Sequence, residues 1–222
     1  MNERGAVAIE LCGERLQLLP ERALYWERTA TLLVADAHFG KAASFRALGV
    51  AVPGGTTGGT LARLDAALDR TSARRLVFLG DLLHAREGRT DATFRALAGW
   101  KSARSGLEWT LVRGNHDRRA GDPPAELGIG CRDEPVLERP FVLAHAPKPS
   151  REGYVLGGHL HPAAELSGEG RARERLPCFW VRPDVTVLPA LGEFTGVASI
   201  AAAAGDSVYA VAEGEVVRIL RA

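Results

Sequence analysis

Seven side chains in this sequence are donor types that hold a hard or borderline metal ion: Asp36, His38, Asp81, Asn115, His145, His159 and His161. They recur in one kind of setting. In Leu111-Val112-Arg113-Gly114-Asn115-His116-Asp117 an apolar run stops at a glycine, and an amide, an imidazole and a carboxylate follow at once. A short apolar run ending in glycine reads as a buried strand with a loop at its C-terminal end. In open α/β sheets, ligands bind outside that end. Four other strand ends repeat the pattern: Asp36-Ala37-His38, Gly80-Asp81 followed by His84, the lone His145, and Gly158-His159-Leu160-His161. Carboxylate oxygens and neutral imidazoles suit Mn, Fe or Zn, and no thiolate accompanies them. Each Asp-x-His or His-x-His pair puts two side chains on one face of an extended segment. Seven donors exceed the needs of one tetrahedral ion and fit two ions about 3.5–4 Å apart that share a carboxylate and a solvent oxygen.

Each piece alone has an ordinary explanation. Asp-x-His can be a turn with a surface histidine, Gly80-Asp81 a helix N-cap, and His145 a hydrogen-bonded core histidine. Yet five of the six histidines follow apolar runs or sit in the elements after them. Independent accidents do not arrange that.

The elements that must position these residues are legible in outline. Val7 to Leu11 and Leu16 to Leu19 flank Cys12-Gly13-Glu14 as a β-hairpin. Thr31 to Ala35, Leu76 to Leu79 and Trp109 to Val112 are buried strands. Between them lie a short helix over Ala42 to Leu48, a loop from Val52 to Thr56, an amphipathic helix over Thr60 to Arg70, and another helix from about Asp91 to Arg104. That alternation predicts parallel pairing through crossover helices. After Asp117 the texture changes. A loop spans Pro123 to Gly130, and short apolar runs then recur between Gly and Pro turns: Phe141 to Ala144, Tyr154 to Leu156, Phe179 to Val181, Val185 to Leu188, Val197 to Ile200, Val208 to Val211 and Val216 to Leu220. The first half reads as α/β and the second as mostly β. Donors come from both halves, so residues 1–222 are expected to form one domain with two packed sheets.

Composition bounds the rest. The 222 residues are 46% hydrophobic and 25% charged, which suits a globular chain with a sizeable core. A net charge of +1 provides no global basic field, so a polyanion would need a local patch. Cys12, Cys131 and Cys178 stand far apart, without the spacing of a disulfide framework or thiolate site. Met1 to Gly5 is charged and polar, so no signal peptide is expected, and no run approaches a membrane span. A cytoplasmic protein is the expectation.

Taken in order, Asp-x-His, Gly-Asp-x-x-His, Gly-Asn-His-Asp, a lone His and Gly-His-x-His, between positions 36 and 161, resemble the calcineurin-like metallophosphoesterase superfamily. That resemblance implies a four-layer αββα sandwich, two mixed β-sheets flanked by helices. It also implies one metal on Asp36, His38, Asp81 and His161, and a second on Asp81, Asn115, His145 and His159, with Asp81 bridging. Two positions depart from the pattern: His84, where many members carry Asp or Asn, and Ala146, where glycine follows the lone histidine. The first adds a proton donor or phosphate contact. A narrower resemblance covers nearly the whole chain. Leu19 to Trp26, Ala35 to Lys41, Phe45-Arg46 and Leu188 to Gly196 are similar to the bacterial ligase-associated DNA-damage-response phosphoesterases, the PdeM family. It implies a manganese-dependent DNA endonuclease, associated functionally with an ATP-dependent DNA ligase, a helicase and a nuclease.

Two cations would neutralise the phosphoryl oxygens of a phosphodiester and bring the pKa of a shared water toward neutrality. His116 is then expected to protonate the leaving oxygen, with Asp117 orienting or charging its imidazole. Lys41, Arg46, Arg86, Arg118 and Arg119 follow donor motifs and are candidates for flanking phosphates, as is His84. Trp100 and Trp109 read as core. The expected substrate is DNA, single-stranded. The alternatives are a small-molecule phosphodiesterase acting on cyclic or nucleotide-like diesters, and a repair scaffold whose metals only stabilise the fold. Seven complete ligands and an intact His116 oppose the scaffold.

Overall fold

Alternation along the central strands dictates two hydrophobic layers. In the run Thr31-Leu32-Leu33-Val34, Leu32 and Val34 face one way and Leu33 the other, and Leu76/Phe78 against Val77/Leu79 repeats this one strand over. Strands with both faces apolar must be covered on both sides. The computed structural model describes residues 4–52, 55–167 and 173–221. The expected loop from Val52 to Thr56 lies partly outside them.

The first sheet contains β1 (Val7–Leu11), β2 (Glu14–Leu19), β3 (Ala23–Trp26), β4 (Thr31–Val34), β5 (Arg75–Leu79), β6 (Glu108–Val112) and β7 (Gly130–Arg132), adjacent in that order. Pairing is antiparallel from β1 to β4 and parallel from β4 to β7. The second sheet contains β8 (Val136–Glu138), β9 (Phe141–Leu143), β10 (Tyr154–Gly157), β11 (Pro162–Ser167), β12 (Arg173–Val181), β13 (Val185–Val187), β14 (Ala198–Ser199), β15 (Ser207–Ala212) and β16 (Glu215–Arg221). Here β9, β10 and β13 run parallel, with antiparallel strands on either side.

The sheets pack through Leu16, Leu18, Leu33, Val77 and Leu79 of the first against Phe141, Leu143, Leu156, Phe179 and Tyr209 of the second. Trp26 stands edge-on to Phe141 at 4.9 Å, a contact worth about 0.5–1.5 kcal/mol beyond its buried area. On the other face of the first sheet lie α2 (Thr56–Arg70) and α3 (Asp91–Ser102), anchored by Leu61, Leu64, Leu97 and Trp100, with α4 (Asn115–Ala120) contributing Ala120. Helix α1 (Lys41–Ala47) follows β4 at the edge of the site. The expected pair of mixed sheets with flanking helices is therefore present. Among the described residues, however, no α-helix follows Ala120, and the outer face of the second sheet is lined by Val142, Val155, Val187 and Val208 without a helical cover. No helix among the described residues is long and apolar enough to cross a membrane.

Candidate metal centre

Five parallel strand ends meet at one place. Asp36 and His38 follow β4, Asp81 follows β5, Asn115 and His116 follow β6, His145 follows β9, and His159 and His161 follow β10. Backbone hydrogen bonds tie the loops together: Asp36 N–H donates to Gly80 O at 3.2 Å, His38 N–H to Asp81 O at 2.8 Å, and Gly158 N–H to His145 O at 3.1 Å. Five donors have left-handed backbones, with φ of 54° at Asp36, 47° at His38, 53° at Asp81, 70° at His159 and 48° at His161. Such conformations cost energy in non-glycine residues and cluster at functional sites. The glycines of the motifs have a steric reason. A Cβ on Gly80 would enter the His145 ring, one on Gly114 the Asp81 carboxylate, and one on Gly158 the Asp36 carboxylate and Ala35.

The imidazoles are held in defined tautomers. His145 Nδ1 donates to Leu79 O at 3.0 Å and His161 Nδ1 to Gly196 O at 3.2 Å. Each Nε2 therefore turns a lone pair inward. His145 Nε2 lies 2.9 Å from Asn115 Oδ1, 3.0 Å from His159 Nδ1 and 3.5 Å from Asp81 Oδ1. His161 Nε2 lies 3.5 Å from His38 Nε2 and 3.4 Å from Asp36 Oδ1. Asp36, His38 and His161 form one donor group, and Asp81, His145 and His159 a second. Asp81 faces both: Oδ1 toward His145, and Oδ2 toward His38 Nε2 at 3.8 Å.

Electron-rich atoms turned on each other need a cation. Asp36 is fully buried, and its Oδ1 accepts no hydrogen bond from the protein; Oδ2 accepts from His159 N–H at 2.8 Å. Burial, helped by the nearby His161, His116, His84 and Lys41, pushes His38 down to about 2, so its ring is neutral and free to ligate. Burial also lifts the Asp81 carboxyl above the usual range, against the pull of His145 and the His116 N–H. Imidazoles and buried carboxylates gathered in this way are the donor set of a divalent-ion site, and the residues present fit that group.

Beside this centre His116 Nδ1 donates to His84 O at 2.6 Å, leaving Nε2 uncommitted 3.9 Å from Asp81 Oδ2, in a residue that also lines an open cleft. The expected partner of His116 is engaged elsewhere. Asp117 is buried and its carboxylate accepts three backbone N–H groups: Asp81 at 2.7 Å, Gly114 at 2.9 Å and Leu83 at 3.1 Å. It clamps the β5 and β6 loops together, and a backbone carbonyl sets the His116 tautomer. Asp117→Ala would leave three buried donors without acceptors, each costing about 1–3 kcal/mol. Urea unfolding should show a loss of about 3 kcal/mol or more. Unchanged stability with lost activity would return Asp117 to a direct role on His116.

The substrate candidates separate. His84 Nδ1 sits 3.3 Å from His38 Nδ1, and burial with the charges of Lys41 and His116 brings it down to about 4, which favours a neutral phosphate contact over a proton donor. Lys41 is half-buried in a small cleft with His38, Thr56 and Phe194. Arg86 and Arg119 line a cleft of about 490 Å³ together with His84 and His116. Arg46 lines a different cleft, against Thr90 and Thr93. Arg118 leans on Glu134 at 3.6 Å and Asp133 at 3.9 Å, so its charge is already matched. Glu134 went unnoticed in the sequence: its Oε2 accepts from His145 N–H and Ala146 N–H, both at 2.8 Å, fixing the β9 loop. A lone Glu before a proline carries no pattern that would reveal this. The strap from Leu188 to Gly196 was visible only through the resemblance. It donates Leu191 N–H to Ala35 O at 2.8 Å and Gly192 N–H to Asp36 O at 3.2 Å, and accepts His161 at Gly196 O.

Two mixed sheets with an Asp/His/Asn centre at the shared ends of their parallel strands define a chain of the metallophosphoesterase-nuclease type. The crystal structure of Pseudomonas putida nuclease MPE matches it with a TM-score of 0.84 and 43% sequence identity, over 96% of this chain and 100% of that one. The chain belongs to the same family as that nuclease. No family model and no curated protein matches it.

Proposed function

We propose that this protein is a metal-dependent nuclease that hydrolyses phosphodiester bonds of DNA, single strands in particular. The observation that carries this is Asp81, whose two oxygens face two separate donor groups and so favour a paired-ion centre over a single ion. The likeness to a nuclease supports the substrate class. Asp36, His38, Asp81 and His161 would hold one divalent ion, and Asp81, Asn115, His145 and His159 the other, with Mn preferred and Fe or Zn compatible with the donors. When bound, such ions neutralise phosphoryl oxygens and lower the pKa of water. The chain does the rest. Asp36 and Asp81 set the charge of the centre, and the carbonyls of Leu79 and Gly196 hold His145 and His161 in the ligating tautomer. His116, steadied by His84 O, lines the open side with its Nε2 uncommitted, where it can give a proton to the leaving oxygen. His84, Lys41, Arg86 and Arg119 flank that side for the phosphates of the strand. We further place the enzyme in bacterial DNA repair in the cytoplasm, alongside an ATP-dependent ligase, a helicase and a nuclease, on the strength of the PdeM-like motifs. Residues 1–222 act in this reading as one domain.

The test is a substrate panel of circular single-stranded DNA, duplex DNA, RNA, cyclic nucleotides and an aryl phosphodiester, each with Mn, Mg, Zn or chelator. Cleavage of circular single strands, strongest with Mn and abolished by chelator, is the expected outcome. Turnover in excess chelator by protein shown to contain no metal would overturn the metal-dependent mechanism. Hydrolysis of cyclic nucleotides with DNA left intact would assign the site to small diesters.

A further inference from the structure

The aromatic side chains are distributed unevenly. Of seven phenylalanines, four tryptophans and three tyrosines, only Phe45 and Phe194 belong to none of the hydrophobic clusters of the fold. Both are partly exposed, and both stand beside the metal centre. Phe45, on α1, lies nearly parallel to the His84 ring at 6.1 Å, with 27° between the planes, and edge-on to Phe194 at 5.8 Å. His84 in turn touches His38, so Phe45 is one ring removed from a metal ligand. Lys41 Nζ sits 5.9 Å over the Phe194 ring, in the cleft that His38 also lines. Beyond Phe45 the apolar surface continues through Leu48 and Val50, 75% and 47% exposed. Trp100 and Trp109, the larger rings, are core residues and take no part.

Apolar rings left out of the core, a cation among them and a phosphate-cleaving centre alongside are the components with which proteins bind single strands. Exposed aromatics stack on the faces of bases while cations meet the backbone. In a duplex those base faces are covered by neighbouring bases; in a single strand they are free. Resting on the nuclease reading above, we infer that Phe45 and Phe194 form a base-stacking subsite for a nucleotide flanking the scissile phosphate, with Lys41 contacting its backbone, and that this subsite selects single strands.

The test couples ring to base. Short single-stranded oligonucleotides with one abasic residue, moved stepwise along the strand on either side of the cut, are compared with the intact strand in Mn. Wild-type enzyme should show KM raised roughly ten-fold or more for an abasic residue at one position near the cut, as expected for losing one stacked base. With Phe45→Leu combined with Phe194→Leu, KM for the intact strand should rise by a similar factor, and the abasic residue should add little. Phe45→Trp should keep KM near wild type, since it keeps a ring. The thermal midpoint of the Leu variants should stay near wild type, because neither ring belongs to a core cluster. Wild-type cleavage indifferent to every abasic position would overturn the subsite. So would an abasic penalty that persists at full size in the Leu variants, since the base would then be read elsewhere. Failure to cleave any oligonucleotide, while an aryl diester is hydrolysed, would overturn the nuclease reading itself.

Discussion

Asp81→Ala is expected to lower DNA cleavage by about 10³-fold, among the most damaging changes to any of the metal-donor residues. The carboxylate faces His145 Nε2 with one oxygen and His38 Nε2 with the other, so its loss weakens both proposed ion sites together. Metal ions in such sites supply several kcal/mol of transition-state stabilisation, and each 1.36 kcal/mol is worth a factor of ten. The fold should survive, because Asp81 lies in a loop beyond β5 and contributes no apolar contact. Its Oδ1 does accept the His116 N–H at 2.9 Å, so the alanine variant also loosens the start of α4. Asp81→Asn, which keeps an acceptor there, separates the two effects. Both variants should be deficient in bound metal and in turnover, the Asn variant with unfolding closer to wild type. Near-normal metal content and rate in either would remove Asp81 from the bridging position.

His116→Ala tests proton transfer as distinct from metal binding. His116 is in neither donor group that contains a carboxylate, and its Nδ1 is committed to His84 O. Nε2 is therefore the one ring nitrogen left to act. General acid catalysis is typically worth ~10²–10⁴-fold, and most where the leaving group is a poor one. The variant should keep its metal content and lose on the order of 10²–10⁴-fold on DNA, whose alkoxide leaves badly. On an aryl phosphodiester, whose phenolate departs unaided, the loss should be much smaller. Equal losses on both substrates with metals intact would mean that His116 stabilises the phosphoryl oxygens. Loss of metal would mean that it is a ligand.

The donors could be read from the sequence because they repeat one local device, an apolar strand that ends in a polar loop. Their convergence follows once β4, β5 and β6, and then β9 and β10, pair in parallel. The role of Asp117 was not legible. Sequence adjacency invites a pairing with His116, but Asn115 to Ala120 form a helix, and neighbouring residues on a helix do not face each other. In the first turn a carboxylate reaches back to the free N–H groups instead, which is where Asp117 is found. Strand β3, Ala-Leu-Tyr-Trp, was not singled out in the sequence although all four of its side chains are buried. Helix α2 begins at Thr56, earlier than its apolar repeat, since Thr56 to Gly59 bring no hydrophobic anchor. Strand β12 is longer than its apolar core at Phe179 to Val181, because Arg173 to Arg175 pair with β11 on an exposed hairpin. The left-handed backbones of Asp36, His38, Asp81, His159 and His161 could not be foreseen; tertiary contacts impose them against local preference.

The paired-ion centre is tested most directly by anomalous diffraction at the manganese edge from crystals of the Mn-loaded protein. The account predicts two peaks about 3.5–4 Å apart, one against Asp36, His38 and His161, the other against Asn115, His145 and His159, with Asp81 between them. His38, His84 and His116 also lie close enough together to hold an ion. A single peak among those three histidines, with none at Asp36 or His145, would contradict it.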